Sequence, residues 1–324
     1  MPCPQRCAVA VFAFAALTVA AAHADPYPGK PIQWVVPSSP GDGSDTFGRL
    51  LAERVGSALG QAIVVQNRPG AGGVVGSEYV ARAVPDGYTM IVGNAGSHGI
   101  NAAIYTHLPY DVQKDFVAVA LICTTPNVMV VNNNVKAHTV REFIETLKKN
   151  PGKIDYASGG VGSSAHMSAE LFKSMAGVDM THIPYKGATP ATASVLANET
   201  QTMIGNLPPW LPLLKSGKVR ALAVTSPERS PALPDVPPLS DTVPGFDTVA
   251  WFGVLAPANT PEAIVALMNK QINAALAQKD LRDKLEALSC MPAPGTPEAF
   301  AARIGSDIAR WKALASQKNI HADR

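Results

Sequence analysis

IQWVVPSSPGDGSDTFGRLLAERVGSALGQAIVV, residues 32–65, decides the fold. Residues 32–36 are apolar except for Gln33, and residues 37–43 break the run with proline, serine and glycine. A short apolar run bounded by such breakers reads as a buried strand. The apolar period then changes. Phe47, Leu50, Leu51, Val55 and Leu59 fall on one helical face over residues 44–59, and Gly60 stops the helix. Residues 63–65 form a second strand. Strand, helix and strand joined by short connections are the unit of a mostly parallel sheet covered by helices.

The same alternation runs outward from this stretch. Residues 73–83 read as a short helix and 88–92 as a strand. An apolar run at 117–122 precedes an extended stretch at 126–131 that carries the chain into a second lobe. Thr139-Val140-Arg141-Glu142 is a capping box, opening a helix with Val140, Phe143, Ile144 and Leu147 on one face. Asn150-Pro151-Gly152 ends it. A strand at 154–157 leads to a Gly/Ser loop and a helix through Leu171, Phe172 and Met175. Strands are expected at 202–204, 219–224 and 251–255, and residues 227–244 read as a surface connection. Thr260-Pro261 and Thr296-Pro297 each place an N-cap before a proline. Phe300, Ile304, Ile308 and Trp311 line one face of the last helix.

Toward the N-terminus, residues 7–22 are almost wholly apolar and end in Ala22-His23-Ala24. This reads as a cleaved secretion signal over residues 1–24, with Asp25 as the first mature residue, and not as a membrane span. The chain carries 27 Lys and Arg against 25 Asp and Glu, and loss of Arg6 with the signal leaves a charge of +1. A near-neutral chain without a basic run carries no electrostatic footprint for nucleic acid. Cys3 and Cys7 leave with the signal. Cys123 and Cys290 remain, either as a disulfide in an oxidising compartment or as two buried thiols.

Two loops stand out where a strand hands over to a helix. The first is Ser38-Ser39-Pro40-Gly41-Asp42-Gly43-Ser44-Asp45, and the second runs from Ser158 to His166 through Gly162, Ser163 and Ser164. Unpaired N–H groups at a helix start, close backbone approach at glycine and serine hydroxyls can together hold a carboxylate without Arg or Lys. The glycine run at 70–76 does not fit dinucleotide binding. Its spacing is not G-x-G-x-x-G, and Asn94, not an acid, ends the next strand. A tight loop or close helix packing accounts for it better. The histidines lack metal-ligand spacing. Gly162-Ser163-Ser164-Ala165-His166 lacks the last glycine of a nucleophile elbow.

Many ordered segments resemble one family. They include Gln66-Asn67-Arg68-Pro69-Gly70-Ala71-Gly72-Gly73, Pro85-Asp86-Gly87-Tyr88, Pro184-Tyr185-Lys186-Gly187, Asn206-Leu207-Pro208 and Trp251-Phe252-Gly253. Across the mature chain the sequence resembles the substrate-binding proteins of tripartite tricarboxylate transporters, the Bug family. The resemblance implies an α/β, two-lobed, periplasmic-binding-protein-like clamp, each lobe a mostly parallel sheet flanked by helices, joined by two crossing strands. Lobe one would be residues 25–125 with 251–324, and lobe two residues 126–250. It implies a periplasmic, monomeric receptor without cofactor, which takes a small organic carboxylate (a di- or tricarboxylate, an amino acid or an aromatic carboxylate) to membrane transporter subunits without entering the membrane itself. The implied ligand contacts are Ser39, Gly41, Gly43, Ser44 and Asp45 in one lobe and Gly162, Ser163, Ser164 and His166 in the other. Ser97, His98 and Tyr185 would border the cleft. Ser38 stands where the family has an aromatic residue and Asp42 where it has a glycine. Asp42 either enters the cleft or caps the following helix. The rival readings are a periplasmic hydrolase using Ser164 and His166, and a ligand-sensing partner of a receptor.

Overall fold

The computed structural model describes residues 27–318 and 320–322. The expected secretion signal and Asp25 lie outside the described residues. In chain order the elements are β1 (Ile32–Val36), α1 (Gly43–Leu59), β2 (Ile63–Asn67), α2 (Val74–Ala81), β3 (Thr89–Asn94), α3 (Asn101–Ile104) and β4 (Phe116–Asn132). There follow α4 (Val140–Lys149), β5 (Asp155–Ser158), α5 (Ser164–Ala176), β6 (Thr181–Pro184), α6 (Ala188–Leu196), β7 (Thr202–Asn206), α7 (Leu211–Lys215) and β8 (Val219–Val224). The last are β9 (Val249–Pro257), α8 (Glu262–Leu276), α9 (Lys279–Ala287), β10 (Met291–Pro292) and α10 (Pro297–Lys318).

The strands run in the order β2-β1-β3-β9-β4-β7-β5-β6, with β8 and β10 also paired to β4. The pairs β1–β2, β1–β3, β5–β6 and β5–β7 are parallel. The antiparallel pairs all involve β4 or β9, the two long strands at the middle of the order. β4 changes partners along its length. Residues up to Pro126 pair with β9, while Asn127 onward pairs with β7 and, from Val128, with β8. The runs expected at 117–122 and 126–131 are thus one strand serving both lobes.

Side-chain alternation on these strands builds a core on each face of each lobe. On β1, Ile32, Trp34 and Val36 pack with Phe47 and Leu51 of α1 and Met268 and Ile272 of α8. Val35 points the other way, into a cluster with Trp251, Phe300 and Ile304. In the second lobe Met129 and Val131 join Phe143 and Phe172, while Val128 and Val130 join Val195 and Trp210. Thr139 caps α4 as expected, accepting from the Glu142 N–H at 3.2 Å. Thr260 does not cap. Its hydroxyl donates to the Pro257 carbonyl at 2.7 Å, and Pro261 itself is the cap residue of α8. Cys123 and Cys290 are joined in a disulfide.

Among the described residues no helix is long and apolar enough to cross a membrane, and no cluster of His, Cys, Asp or Glu could hold a metal ion.

Candidate functional site

The carboxyl ends of β1, β3, β5 and β7 open on one cleft between the lobes, the place where open α/β sheets take their ligands. Its wall includes Ser38 and Asp42 after β1, Gly70–Gly73 before α2, and Asn94 and Gly96 at the end of β3. Ser163 and Ser164 at the start of α5, Asn206 at the end of β7, and Phe252 of β9 complete it. The remaining cavity is about 60 Å³, large enough to hold ordered water.

The lobes meet around it. The Ser39 hydroxyl donates to the Lys186 carbonyl at 2.7 Å, and the Thr189 hydroxyl donates to the Pro40 carbonyl at 2.9 Å. Within the first lobe Asn101 Nδ2 braces this edge, donating to the Gly72 carbonyl at 3.1 Å. Bare backbone makes the approach possible. A Cβ on Gly72 would lie 2.3 Å from the Val161 carbonyl oxygen, and one on Gly187 would lie 2.3 Å from the Ser39 hydroxyl.

In the second lobe Ser163 caps α5, accepting from the His166 N–H at 3.3 Å. Asn127 Nδ2, on the crossing strand, donates at 2.9 Å to both Ser164 Oγ and Ser168 Oγ. Ser164 Oγ thereby serves as an acceptor toward Asn127, and its own proton is free to turn toward a ligand. With the start of α5, this end of the cleft is built to receive negative charge.

The first lobe is built differently. The Gly41 N–H donates to Asp45 Oδ2 at 2.9 Å, the Asp42 N–H to the Ser39 carbonyl at 3.2 Å, and the Gly43 N–H to Asp42 Oδ1. Asp42 therefore does both things considered for it: it caps α1 and lines the cleft. Gly43 is needed for packing, because a Cβ there would lie 2.5 Å from the Phe252 ring.

Of the residues singled out from sequence, Ser38, Asp42, Ser163 and Ser164 line the cleft. Asp45 is turned away from it, held by Arg49 at 2.8 Å and Asn67 at 2.9 Å. Ser44 is buried and accepts from Asn94 Nδ2. Ser97 and His98 do not border the cleft. Both are wholly buried, bonded to each other at 2.8 Å, with the imidazole edge-on to Phe116. Tyr185 packs beside the α6 core and bonds through its N–H to Ser158. Gly162 and His166 sit behind the loop, where His166 Nδ1 accepts from the Gly162 N–H at 3.3 Å. Sequence reasoning passed over Asn94, Asn206, Phe252 and Gly70–Gly73 as cleft residues. Position at a strand's carboxyl end was the signal for the two asparagines.

The hydrolase alternative lacks its geometry. Among the described residues no hydrogen bond joins Ser164 to His166, whose ring stacks on His182 with centroids 4.3 Å apart. A base must reach its nucleophile. Burial first, then the neighbouring charges, sets these histidines. His166 is pulled down to about 4, and His182, also beside His166 and Lys173, to about 3. Burial alone takes His98 to about 3. With folded values below the unfolded 6.5, the unfolded chain binds protons first as pH falls. Stability is therefore full above about pH 6.5 and erodes toward pH 4. A protonated His166 also cannot accept from Gly162. Thermal unfolding across this range should show Tm falling with acid, and less steeply in His182→Phe. Equal slopes in the two proteins would remove the stacked pair as the cause.

Residues 47–320 match the family described as "Tripartite tricarboxylate transporter family receptor". Protein BugT of Bordetella pertussis is 36% identical over 305 residues, covering 94% of this chain and 94% of BugT. Among solved structures, R. palustris Rpa4515 with adipate superposes with a TM-score of 0.89 at 35% identity, covering 91% of this chain and 99% of that one. MatC from Rhodopseudomonas palustris with bound malate gives a TM-score of 0.86 at 33% identity, covering 89% of this chain and 99% of that one.

Proposed function

Because the chain belongs to the tripartite tricarboxylate transporter receptor family, we propose that it is a periplasmic receptor, not an enzyme, that closes two lobes on a small carboxylate-bearing solute. It passes that solute to membrane transporter subunits and acts as a monomer. Residues 25–125 with 251–324 form one lobe and residues 126–250 the other, and the change of partner along β4 at Pro126 and Asn127 supports this division.

The observation that carries the reading is the start of α5 in the cleft, with Ser164 oriented by Asn127. A ligand carboxylate there meets backbone N–H groups, a hydroxyl and the positive end of a helix. The adipate and malate of the two relatives are small carboxylates, which supports the same ligand class. Closure follows from binding only insofar as both lobes contact the ligand.

Calorimetry with small mono- and dicarboxylates tests this. Saturable binding without turnover is expected, and Ser164→Ala should weaken it about tenfold or more, the cost of one hydrogen bond to a charged group. Consumption of the acid, or full affinity in Ser164→Ala, would count against the site.

A further inference from the structure

The two ends of the cleft differ in sign. At the start of α1, where an anion would otherwise be welcome, the Gly41, Asp42 and Gly43 amides are all taken by the loop itself. What the loop presents is the Asp42 carboxyl, 8% exposed and on the cleft wall. Burial first, then the like charge of Asp45, pushes its pKa up, and among the described residues no cation pairs with it to hold its charge. Lys186 lines the cleft too, but its side chain is exposed and forms no ion pair with Asp42 among the described residues.

Ser38 and Asn206 flank the Asp42 carboxyl. The buried Ser38 Oγ, on a residue 8% exposed, and the buried Asn206 Oδ1 have no hydrogen-bond partner. A carboxylate and an amide oxygen are acceptors only. The Ser38 hydroxyl and the Asn206 amide N–H can each donate to Asp42, but the Asn206 oxygen has no donor to meet it, which is costly unless a ligand brings one.

We propose that Asp42, Ser38 and Asn206 form a counter-site for a protonated nitrogen, so that the preferred ligand is a compact zwitterion. Its carboxylate lies at α5 and its ammonium at Asp42. This rests on the carboxylate-receptor reading above and narrows it. A second carboxylate at Asp42 meets like charge, which selects against plain dicarboxylates.

The test compares ligands matched in length. Parent protein is titrated in a calorimeter with succinate and glutarate, with 4-aminobutanoate and 5-aminopentanoate, and with the α-amino forms of the two diacids. The amino compounds should bind about tenfold tighter or more than the matched diacids. Asp42→Asn, which keeps the side chain's shape, should bring the ratio close to one. Asp42→Gly should do the same, with cooperative thermal unfolding recording that both variants fold. Tighter diacid binding by the parent, or a ratio unmoved in both variants, overturns the counter-site while leaving carboxylate binding at α5 intact. Binding of neither class by the parent overturns both readings together.

Discussion

Gly72→Ala should fold, remain open and lose ligand affinity by about a hundredfold or more. Gly72 sits at φ 62°, ψ 23°, a left-handed conformation that costs alanine roughly 1–2 kcal/mol wherever the lobes stand. The larger effect is steric and belongs to the closed state alone. The added Cβ would lie 2.3 Å from the carbonyl oxygen of Val161 and 3.6 Å from Asn101 Oδ1. Val161 meets Gly72 across the contact between the lobes, in the loop leading to α5, and a backbone carbonyl cannot step aside by changing rotamer. Opening the lobes relieves the contact. A closed-state penalty of about 3 kcal/mol converts to a little over a hundredfold in apparent affinity. Gly177→Ala is the matched control. Gly177 has φ 62° and nothing within 4 Å of its Cβ position, so it carries the backbone strain without the clash. Calorimetry should separate the two variants. X-ray scattering should show the parent contracting on ligand addition and Gly72→Ala staying expanded. Equal losses in both variants would reduce the effect to backbone strain.

The same glycine shows where sequence reasoning stops. Residues 70–76 read as a tight turn or a close-packing run, which is a local account. The reason for Gly72 lies some ninety residues away, in a contact that exists only once the lobes meet. β1 and α1 were legible because a short apolar run ended by breakers, and an apolar period of 3.6, are set by burial and hardly by anything else. β6 and α6 were not. THIP is only four residues long, and ATPATASVL offers small residues in place of an apolar stripe. The site divides in the same way. Ser38, Asp42, Ser163 and Ser164, singled out because a Ser/Gly loop joins strand to helix, stand on the cleft wall. Loop membership does not tell which way a side chain turns. Asp45 turns to Arg49 and Asn67, and His98 turns into an aromatic core. Those choices depend on neighbours supplied by other elements.

Loss of the Cys123–Cys290 bridge should be the largest stability change available from a single bond. The two sulfurs join β4 to the segment after α9, with Cα atoms 5.4 Å apart, and β10 pairs beside them on β4. Both cysteines are fully buried in the core formed by Trp34, Phe47 and Met268. On the lobe division proposed above they belong to one lobe, and the other lies wholly within the 167 residues that separate them. Cross-linking so long a loop removes unfolded-state entropy worth up to about 5 kcal/mol, and measured values commonly run about 2–4 kcal/mol. Reduction, or the double variant Cys123→Ala with Cys290→Ala, should therefore lower Tm by roughly 3–8 °C. Neither sulfur lines the cleft, so the affinity of the protein that remains folded should stay within about twofold of the parent's. The discriminating measurement is guanidinium unfolding with and without reductant, read together with ligand calorimetry below the transition. The mature protein, unfolded without reductant, should yield no free thiol. An unchanged unfolding midpoint on reduction would show that packing around the two cysteines, not the bond, holds the ends of the lobe together.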